Sequence, residues 1–489
     1  MRRCLQGLLL LVLAGCGCSQ ISEERAPQLV SGDDVESLQG GGPLVLLVSL
    51  DTTRADALGC YADVAGWGLD LREDSRPLPE TPVLDRLAAS GLRAKWALAH
   101  APTTLSSHAS VFSGRDPLGH GVYRNGVPIS LSLPLVTEEL GSLGFETMAV
   151  VGASVLDRSM GLNRGFDLYD DQVTQVVRAR TEDSADAVNA RVLDAMMSRQ
   201  DPGRPLFLFV HYFDAHSPWT SADSDRVTRF TREGYQGILQ DGRGESIGQL
   251  SAFASKGMLG IEDRIRARGL YLAEVSHVDH ALGELLEQLE SGGYLDESLV
   301  VVFGDHGEIL DEVPDRAYGH GTDVDLAAIH VPLILSAQGR FAESLPDVKT
   351  LDSPVSLRDI PATILDVLDG RSSYQEGWTV LPSNSTEPRE RSVHFAEATK
   401  PHGTGPLWPN SRLERAVVRG DALYLRAPWL GESGQLYRLA PGQPLWNHAS
   451  LGHELAGLLD AWAEDAPTVE PLELDPQMRS NLEALGYLE

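Results

Sequence analysis

Two acidic clusters lie 254 residues apart, and each directly follows an unbroken apolar run: Asp51-Thr52-Thr53-Arg54-Ala55-Asp56 after LVLLVSL, and Asp305-His306-Gly307-Glu308 after SLVVVFG. Apolar runs without alternation read as strands buried on both faces of a parallel sheet, and chemistry in such sheets sits just beyond the C-terminal strand ends. Carboxylates and an imidazole delivered to one sheet edge need a charge partner. A divalent cation supplies it. Taken singly, Asp51 reads equally well as an Asx turn and Asp305-His306 as a helix cap; taken together they point to a metal. A third piece, Ala101 to Gly114 (APTTLSSHASVFSG), reads as a loop feeding a short helix stopped by Gly114. It places Thr103 and Thr104 at the positive end of that helix, where N–H groups can hold an oxyanion. A hydroxyl beside a metal is a nucleophile, although Thr in such a place also serves as a plain N-cap.

The elements that must carry these groups alternate. Further apolar runs recur at Phe145 to Val151, Leu206 to Val210, Leu299 to Phe303 and Val331 to Leu335. Helical patterns lie between them: from Thr81-Pro82 as N-cap and first residue to Gly91, from Asp183 to Met197, and from Leu270 to Leu289 with Val275, Val278, Leu282, Leu285 and Leu289 on one stripe. Alternating strand and helix predicts an α/β sandwich with a mostly parallel central sheet. Beyond Gly370 the pattern changes to short extended pieces (SVHFAEA, ERAVVRG, ALYLRA, GQLYRL) and helical segments near Leu451 to Ala463 and Met478 to Leu485, as in a smaller C-terminal α+β subdomain. The organisation expected is 43–380 for the catalytic domain and 381–489 for that subdomain.

In order along the chain, LDTTRADALGCY, TPVLDRLAASG, TTLSSHASVFSG with PLGHGV behind it, HYFDAHSPW, YLAEVSHVD, VVVFGDHGE, YGHG and VSLRDIPATILDVL resemble the motifs of the sulfatase family within the alkaline phosphatase superfamily. The resemblance runs from about Leu44 to Gly370, and NLEALGYL near the end is similar to a tail of sulfatase-like lipoproteins. It implies an alkaline-phosphatase/sulfatase-like α/β sandwich and a hydrolase of phosphate, phosphonate or sulfate esters that uses one divalent metal ion. Position by position, Asp51, Asp305 and His306 match the family's metal ligands. Thr104 falls at the nucleophile, itself touching the metal. His216 matches a histidine that contacts the transferred group, and His320 lies near the place of a Lys or His that stabilises the leaving oxygen. His108 stands where the family has an Arg and joins His216 and His320 as a substrate-binding residue.

Several departures sharpen this reading. Sulfatases carry Cys or Ser at the nucleophile position and oxidise it to formylglycine; the methyl on Cβ of Thr104 forbids that aldehyde, so no formylglycine is expected. The second Asp of the family's usual pair is Thr52, and the Gly-Lys-Trp-His stretch typical of sulfatases is Gly152-Ala153-Ser154-Val155. Each change points away from ordinary sulfate-ester chemistry, and the mechanism expected is a double displacement at phosphorus through Thr104 with water or another alcohol as final acceptor. The donor set fits Ca²⁺, Mn²⁺ or Mg²⁺, with Zn²⁺ also compatible. Asp214 and His402 are weak candidates for a second metal. Two other readings stay open: a sulfuric ester hydrolase working without formylglycine, and a non-catalytic, sulfatase-like lipoprotein that binds envelope polymers. Retention of the metal-ligand set argues against the last, since a binding module needs none.

The long segment 217–269 reads as an insertion overhanging the site, in which Arg226, Arg229 and Arg232 either attract an anionic substrate or form a solvated helix face. At the N-terminus, Arg2 and Arg3, the apolar stretch Leu8 to Leu13 and the tetrad Leu13-Ala14-Gly15-Cys16 read as a lipoprotein signal peptide (1–15) with Cys16 as the lipidated residue, followed by a flexible tether (16–42). This predicts a bacterial cell-envelope protein, periplasmic or facing the outer membrane, touching lipid through its anchor only. The 489-residue chain has 70 Asp and Glu against 40 Lys and Arg, a formal net charge of −30. Such a surface repels nucleic acid, so positive charge for an anionic ester must be concentrated locally.

Overall fold

The computed structural model describes residues 38, 40–64, 77–173, 176–177, 180–240, 246–310, 318–368, 379–381, 393–398, 414–427, 430, 434–440 and 445–464. The signal peptide, Cys16, most of the tether, His402, the helix expected near Met478 to Leu485 and the NLEALGYL tail lie outside the described residues. No helix among those described is long and apolar enough to cross a membrane.

Eight strands form the central sheet: Leu44–Leu50 (β1), Leu92–Ala94 (β2), Glu146–Val151 (β3), Leu168–Asp170 (β4), Leu206–Tyr212 (β5), Ser298–Gly304 (β6), Leu333–Ala337 (β7) and Thr350–Leu351 (β8). Their spatial order is β8-β2-β7-β6-β1-β5-β3-β4. The stretch from β6 to β4 is wholly parallel, and β7 joins it antiparallel to both β6 and β2. Every residue of β1, β5 and β6 is buried, which is why their sequences show no polar alternation. The expected run Val331 to Leu335 is split at Pro332. A proline cannot donate to a ladder, so His330–Val331 pairs instead with Ala97–Leu98 in a separate small sheet.

The helices around the site are Pro82–Ser90 (α1), Thr104–Ser113 (α2), Ala185–Met197 (α3), Ser224–Phe230 (α4), Ile247–Ala254 (α5) and Ile261–Ser291 (α6). The α6 stripe of Val275, Val278, Leu282, Leu285 and Leu289 is buried as its 3.6-residue spacing requires. Thr81 occupies the cap position of α1 but makes no side-chain cap bond. Asp279 of α6 does that work from another element, accepting from the N–H groups of Val83 at 3.1 Å and Leu84 at 2.8 Å.

The C-terminal strands Val393–Ala398 (β9), Glu414–Arg419 (β10), Ala422–Arg426 (β11) and Gln435–Arg438 (β12) form a separate antiparallel sheet. Helix Ala449–Glu464 (α7) covers it through Leu455 and Leu459. Bonds that tie this unit to the main sheet region include Glu397 N–H to the His100 carbonyl at 3.0 Å, His100 Nδ1–H to the Phe395 carbonyl at 2.5 Å, and Trp462 Nε1–H to Asp116 Oδ2 at 3.0 Å.

Candidate active site and metal centre

Parallel register lines up the ends of three neighbouring strands, pairing Leu50 with Tyr212 on one side and with Gly304 on the other. Asp51 and Asp305 are therefore the first residues past adjacent strand ends, although most of the chain separates them. The ligand-type atoms of Asp51, Asp305 and His306 all lie within 4.8 Å of one another, and all three residues are buried. Asp305 Oδ1 accepts from the N–H groups of His306 at 2.7 Å and Thr52 at 3.0 Å. Its Oδ2, and Oδ1 of Asp51, accept no hydrogen bond. His306 Nδ1 lies 3.0 Å from the Gly307 carbonyl. A carbonyl only accepts, so Nδ1 carries the hydrogen and Nε2 keeps its lone pair.

Burial pushes the Asp51 carboxyl up to about 7 against the opposing pull of His306. Burial, reinforced by the neighbouring Asp51, pushes Asp305 up as well. Two buried carboxylates with orphaned oxygens and an imidazole lone pair in one 4.8 Å cluster fit a divalent cation.

The turn that presents Asp51 is strained. Thr52, a β-branched residue, has φ 48, a left-handed conformation that only surrounding contacts can maintain. Those contacts are its own N–H on Asp305 and its carbonyl, which accepts from the Tyr271 hydroxyl at 2.9 Å; the same hydroxyl accepts from Arg54 N–H at 3.0 Å. Arg54 then pairs with Asp56 through Nε at 2.8 Å and Nη2 at 2.9 Å, and donates from Nη1 to the Glu308 carbonyl at 2.9 Å. Burial opposes the charge on Asp56, but the Arg54 and Arg268 guanidinium groups hold its carboxyl below the usual carboxylate range.

Thr104 opens α2. Its Oγ1 lies 3.4 Å from His306 Nε2 and close enough to Asp51 to favour that carboxylate's ionised form. Gly114 ends the helix with φ 70 and an N–H bond to the Ser110 carbonyl, as its left-handed cap position demands. Every residue of α2 is buried, and Leu105 N–H is already taken by Asn125 Oδ1 at 2.8 Å.

That burial corrects the expectation for His108. One helical turn after Thr104, its Nδ1 meets the Thr104 carbonyl at 2.7 Å and its Nε2 the Ser49 hydroxyl at 2.9 Å. The ring packs edge-on against Phe209, His211 and Phe303. Burial holds its pKa down to about 3. His108 is a neutral core residue bracing the start of α2, with no ring nitrogen left for a substrate.

His216 and His320 do meet at the metal cluster. Their ring centroids are 5.0 Å apart, and His320 is 4.7 Å from the His306 ring. His216 stacks on Phe213 and donates from Nδ1 to the Ser217 carbonyl at 2.7 Å. His320 Nδ1 faces both oxygens of Glu308, at 3.2 and 3.3 Å. Glu308 and His211 are site residues that the sequence reading did not single out. His211 Nε2 lies 3.2 Å from Asp51 Oδ2, and its one signal was a polar residue inside an otherwise apolar strand.

The insertion overhangs this edge as expected, through α5: Ile247 N–H donates to Ser217 Oγ at 3.1 Å, and Ser251 Oγ to the Tyr318 carbonyl at 2.8 Å, beside His320. Its arginines are paired: Arg226 with Asp223, Arg229 with Glu80 and Arg232 with Glu262. Arg229 and Arg232 form a solvated face, whereas Arg226 is largely buried against His277. Asp214 caps α3, accepting from Ala185 N–H at 3.0 Å.

A family model for sulfatases matches residues 43–370. The chain belongs to the sulfatase family. Among relatives of this sulfatase-family chain is an arylsulfatase of Clostridium perfringens, 21% identical over 66% of this chain and 74% of that one. Among solved structures, it is similar to the phosphonate monoester hydrolase of Agrobacterium radiobacter, with a TM-score of 0.60 at 18% identity, covering 86% of this chain and 94% of the other. It is also similar to BT4656 in complex with its substrate D-glucosamine-2-N,6-O-disulfate, with a TM-score of 0.61 at 15% identity over 88% and 99% of the two chains. Both structural likenesses concern the fold, a large mostly parallel sheet with a separate antiparallel one.

Proposed function

We propose that this member of the sulfatase family of ester hydrolases cleaves phosphate or phosphonate esters through Thr104. The observation that carries the reading is the Thr104 hydroxyl, 3.4 Å from His306 Nε2 and against the Asp51 carboxylate. Asp51, Asp305, His306 and Thr104 would hold one divalent ion, of which Mn²⁺, Mg²⁺ and Ca²⁺ suit the oxygen-rich set and Zn²⁺ is compatible. Such an ion, when bound, supplies positive charge for the nonbridging oxygens and lowers the pKa of a coordinated hydroxyl.

The chain's own groups do the rest. Thr104 Oγ attacks phosphorus and loses its proton to solvent, the ester O–P bond breaks, and the leaving alkoxide takes the Nε2 proton of His320 in its imidazolium form, leaving the neutral ring with its hydrogen on Nδ1. Glu308 fixes Nδ1 of that ring as an N–H, so proton transfer runs through Nε2. His216, held by Phe213 and Ser217, orients the transferred group. Water then attacks the phosphothreonine and restores Thr104, or a second alcohol does so and makes the enzyme a transferase. The family name and the disulfated substrate of BT4656 support a second reading, a sulfuric ester hydrolase without formylglycine. An anionic ester is the substrate class in both.

The test is turnover of p-nitrophenyl phosphate, phosphodiester, phosphonate and sulfate, with and without EDTA. The expected result is chelator-sensitive cleavage of at least one phosphorus ester, with Thr104→Ala reducing it ~10³-fold or more while metal stays bound. Sulfate turnover above every phosphorus substrate would overturn the reading in favour of the second. An active Thr104→Ala variant would remove Thr104 as nucleophile. We further propose that Cys16 anchors the mature protein in a bacterial envelope membrane. Cys16→Ser should shift it from the membrane pellet to the soluble fraction, and a variant that still sediments would refute the anchor.

A further inference from the structure

An anionic ester entering a chain with a formal net charge of −30 needs positive charge close to the reacting atoms. Two groups that could have supplied it are missing here. His108, at the place of an Arg, is a neutral core residue, and Gly152-Ala153-Ser154-Val155 carries no Lys.

The loop that follows α2 returns to it twice. The Ser106 hydroxyl donates to the Val122 carbonyl at 2.5 Å, and Leu105 N–H donates to Asn125 Oδ1 at 2.8 Å. Both bonds land on the first turn of α2, the turn that begins with Thr104. Arg124 lies between these two anchors, so its backbone is held beside the nucleophile's end of the helix. Neither anchor uses its side chain.

That side chain stands apart from its neighbours. Val122, Tyr123 and Asn125 are buried, whereas Arg124 is exposed. Other exposed arginines of this chain sit on acids, as Arg158 does on Asp171, Arg229 on Glu80 and Arg232 on Glu262. The Arg124 guanidinium makes no hydrogen bond or ion pair with any described residue, although the chain has 70 Asp and Glu. It keeps a rigid fork of donors that matches two oxygens of one tetrahedral group. Attacking and leaving oxygens lie roughly in line in such a transfer, with the nonbridging oxygens around the axis between them. An arginine rooted beside Thr104 therefore reaches the nonbridging oxygens, and the leaving oxygen falls to His320.

We propose that Arg124 is a substrate-binding residue, whose guanidinium closes on two nonbridging oxygens of the transferred phosphoryl or sulfuryl group. It supplies the charge that His108 and residues 152–155 do not. The proposal rests on Thr104 as the point of attack, and binding rather than turnover tests it.

The experiment is calorimetric titration of inorganic phosphate, and separately of sulfate, into the purified full chain loaded with Mg²⁺ or Mn²⁺. The parent protein should bind at least one of the two anions with a Kd of about 0.1–1 mM. Arg124→Gln should weaken that binding at least ~10-fold, and Arg124→Lys, which keeps the charge but loses the fork, by a smaller factor. Arg86 is another exposed arginine, on α1, and Arg86→Gln removes the same charge; it should leave anion affinity within ~2-fold of the parent. The proposal is overturned if the parent binds neither anion below ~10 mM, or if Arg124→Gln binds as the parent does. It is equally overturned if Arg86→Gln weakens binding as much, which would make the effect one of net charge. Weaker binding in Arg124→Gln with no phosphorus ester cleaved by the parent upholds Arg124 and removes the Thr104 reading; unchanged binding beside chelator-sensitive cleavage does the reverse.

Discussion

His211 shows how a neutral imidazole can serve a charged centre. Burial holds its pKa down to about 4, so near neutrality the ring is uncharged, and its one contact with the cluster is Nε2 at 3.2 Å from Asp51 Oδ2. A carboxylate only accepts when ionised, which makes Nε2 the N–H and the ring a device that fixes Asp51 in one orientation. Partners of this kind behind metal ligands are typically worth 10–100-fold in metal affinity. His211→Phe keeps a ring in the apolar strand and removes the donor. Metal Kd, read by competition with a chelator, is expected to rise at least ~10-fold, and activity to recover when the metal concentration is raised. Unchanged affinity would show that Asp51 is held by its backbone alone.

Helix α6 reaches the same centre from 31 residues of amphipathic scaffold. One of its hydroxyls, on Tyr271, holds the Thr52 carbonyl and Arg54 N–H and so maintains the strained turn behind Asp51. Tyr271→Phe leaves the ring in place but strands two buried backbone groups. A stability loss of about 1–3 kcal/mol is expected, together with weaker metal binding, since Thr52 N–H orients Asp305. A variant with lower stability and unaltered metal affinity would make Tyr271 a packing residue only. The buried stripe of α6 was legible in its spacing, and β1, β5 and β6 in their unbroken apolar runs, because both signals are local. The Tyr271 bridge was not, since it depends on which turn the helix crosses. His108 misled for a related reason: four residues from Thr104 places it on the same side of α2, but that side is packed into the core around Phe209 and Phe303. Asp51, Asp305, His306 and Thr104 were readable as candidates from their positions after strands and at a helix start, whereas the 4.8 Å cluster rests on parallel register set by distant partners.

The acidic surface conceals a core that resists taking up protons. Burial holds His120 at about 3 and His330 and His394 at about 4, far under the ordinary imidazole value of 6.5; His100 is lowered in the same direction. Between pH 6.5 and 4 the unfolded chain binds protons at these positions and the folded chain does not. Their contribution to stability is therefore complete above pH 6.5 and is lost as pH falls through that window. Asp279 works the other way: burial raises it to about 6, so the folded chain gains a proton that the unfolded chain lacks near pH 5. His108 and His211 are lowered in the same sense as His100, and Asp51 is raised like Asp279, so the imidazoles outnumber the opposing carboxyls and stability falls as pH drops near 5, by about 1.4 kcal/mol per pH unit for each net proton. Urea unfolding at pH 7, 6 and 5 should show that fall. His330 donates from Nε2 to the Lys95 carbonyl at 2.9 Å, and Gln at this position keeps a donor without titrating. His330→Gln should flatten the pH dependence by ~1.4 kcal/mol per unit, whereas a slope identical to that of the parent protein would show that His330 is not among the groups that drive acid unfolding.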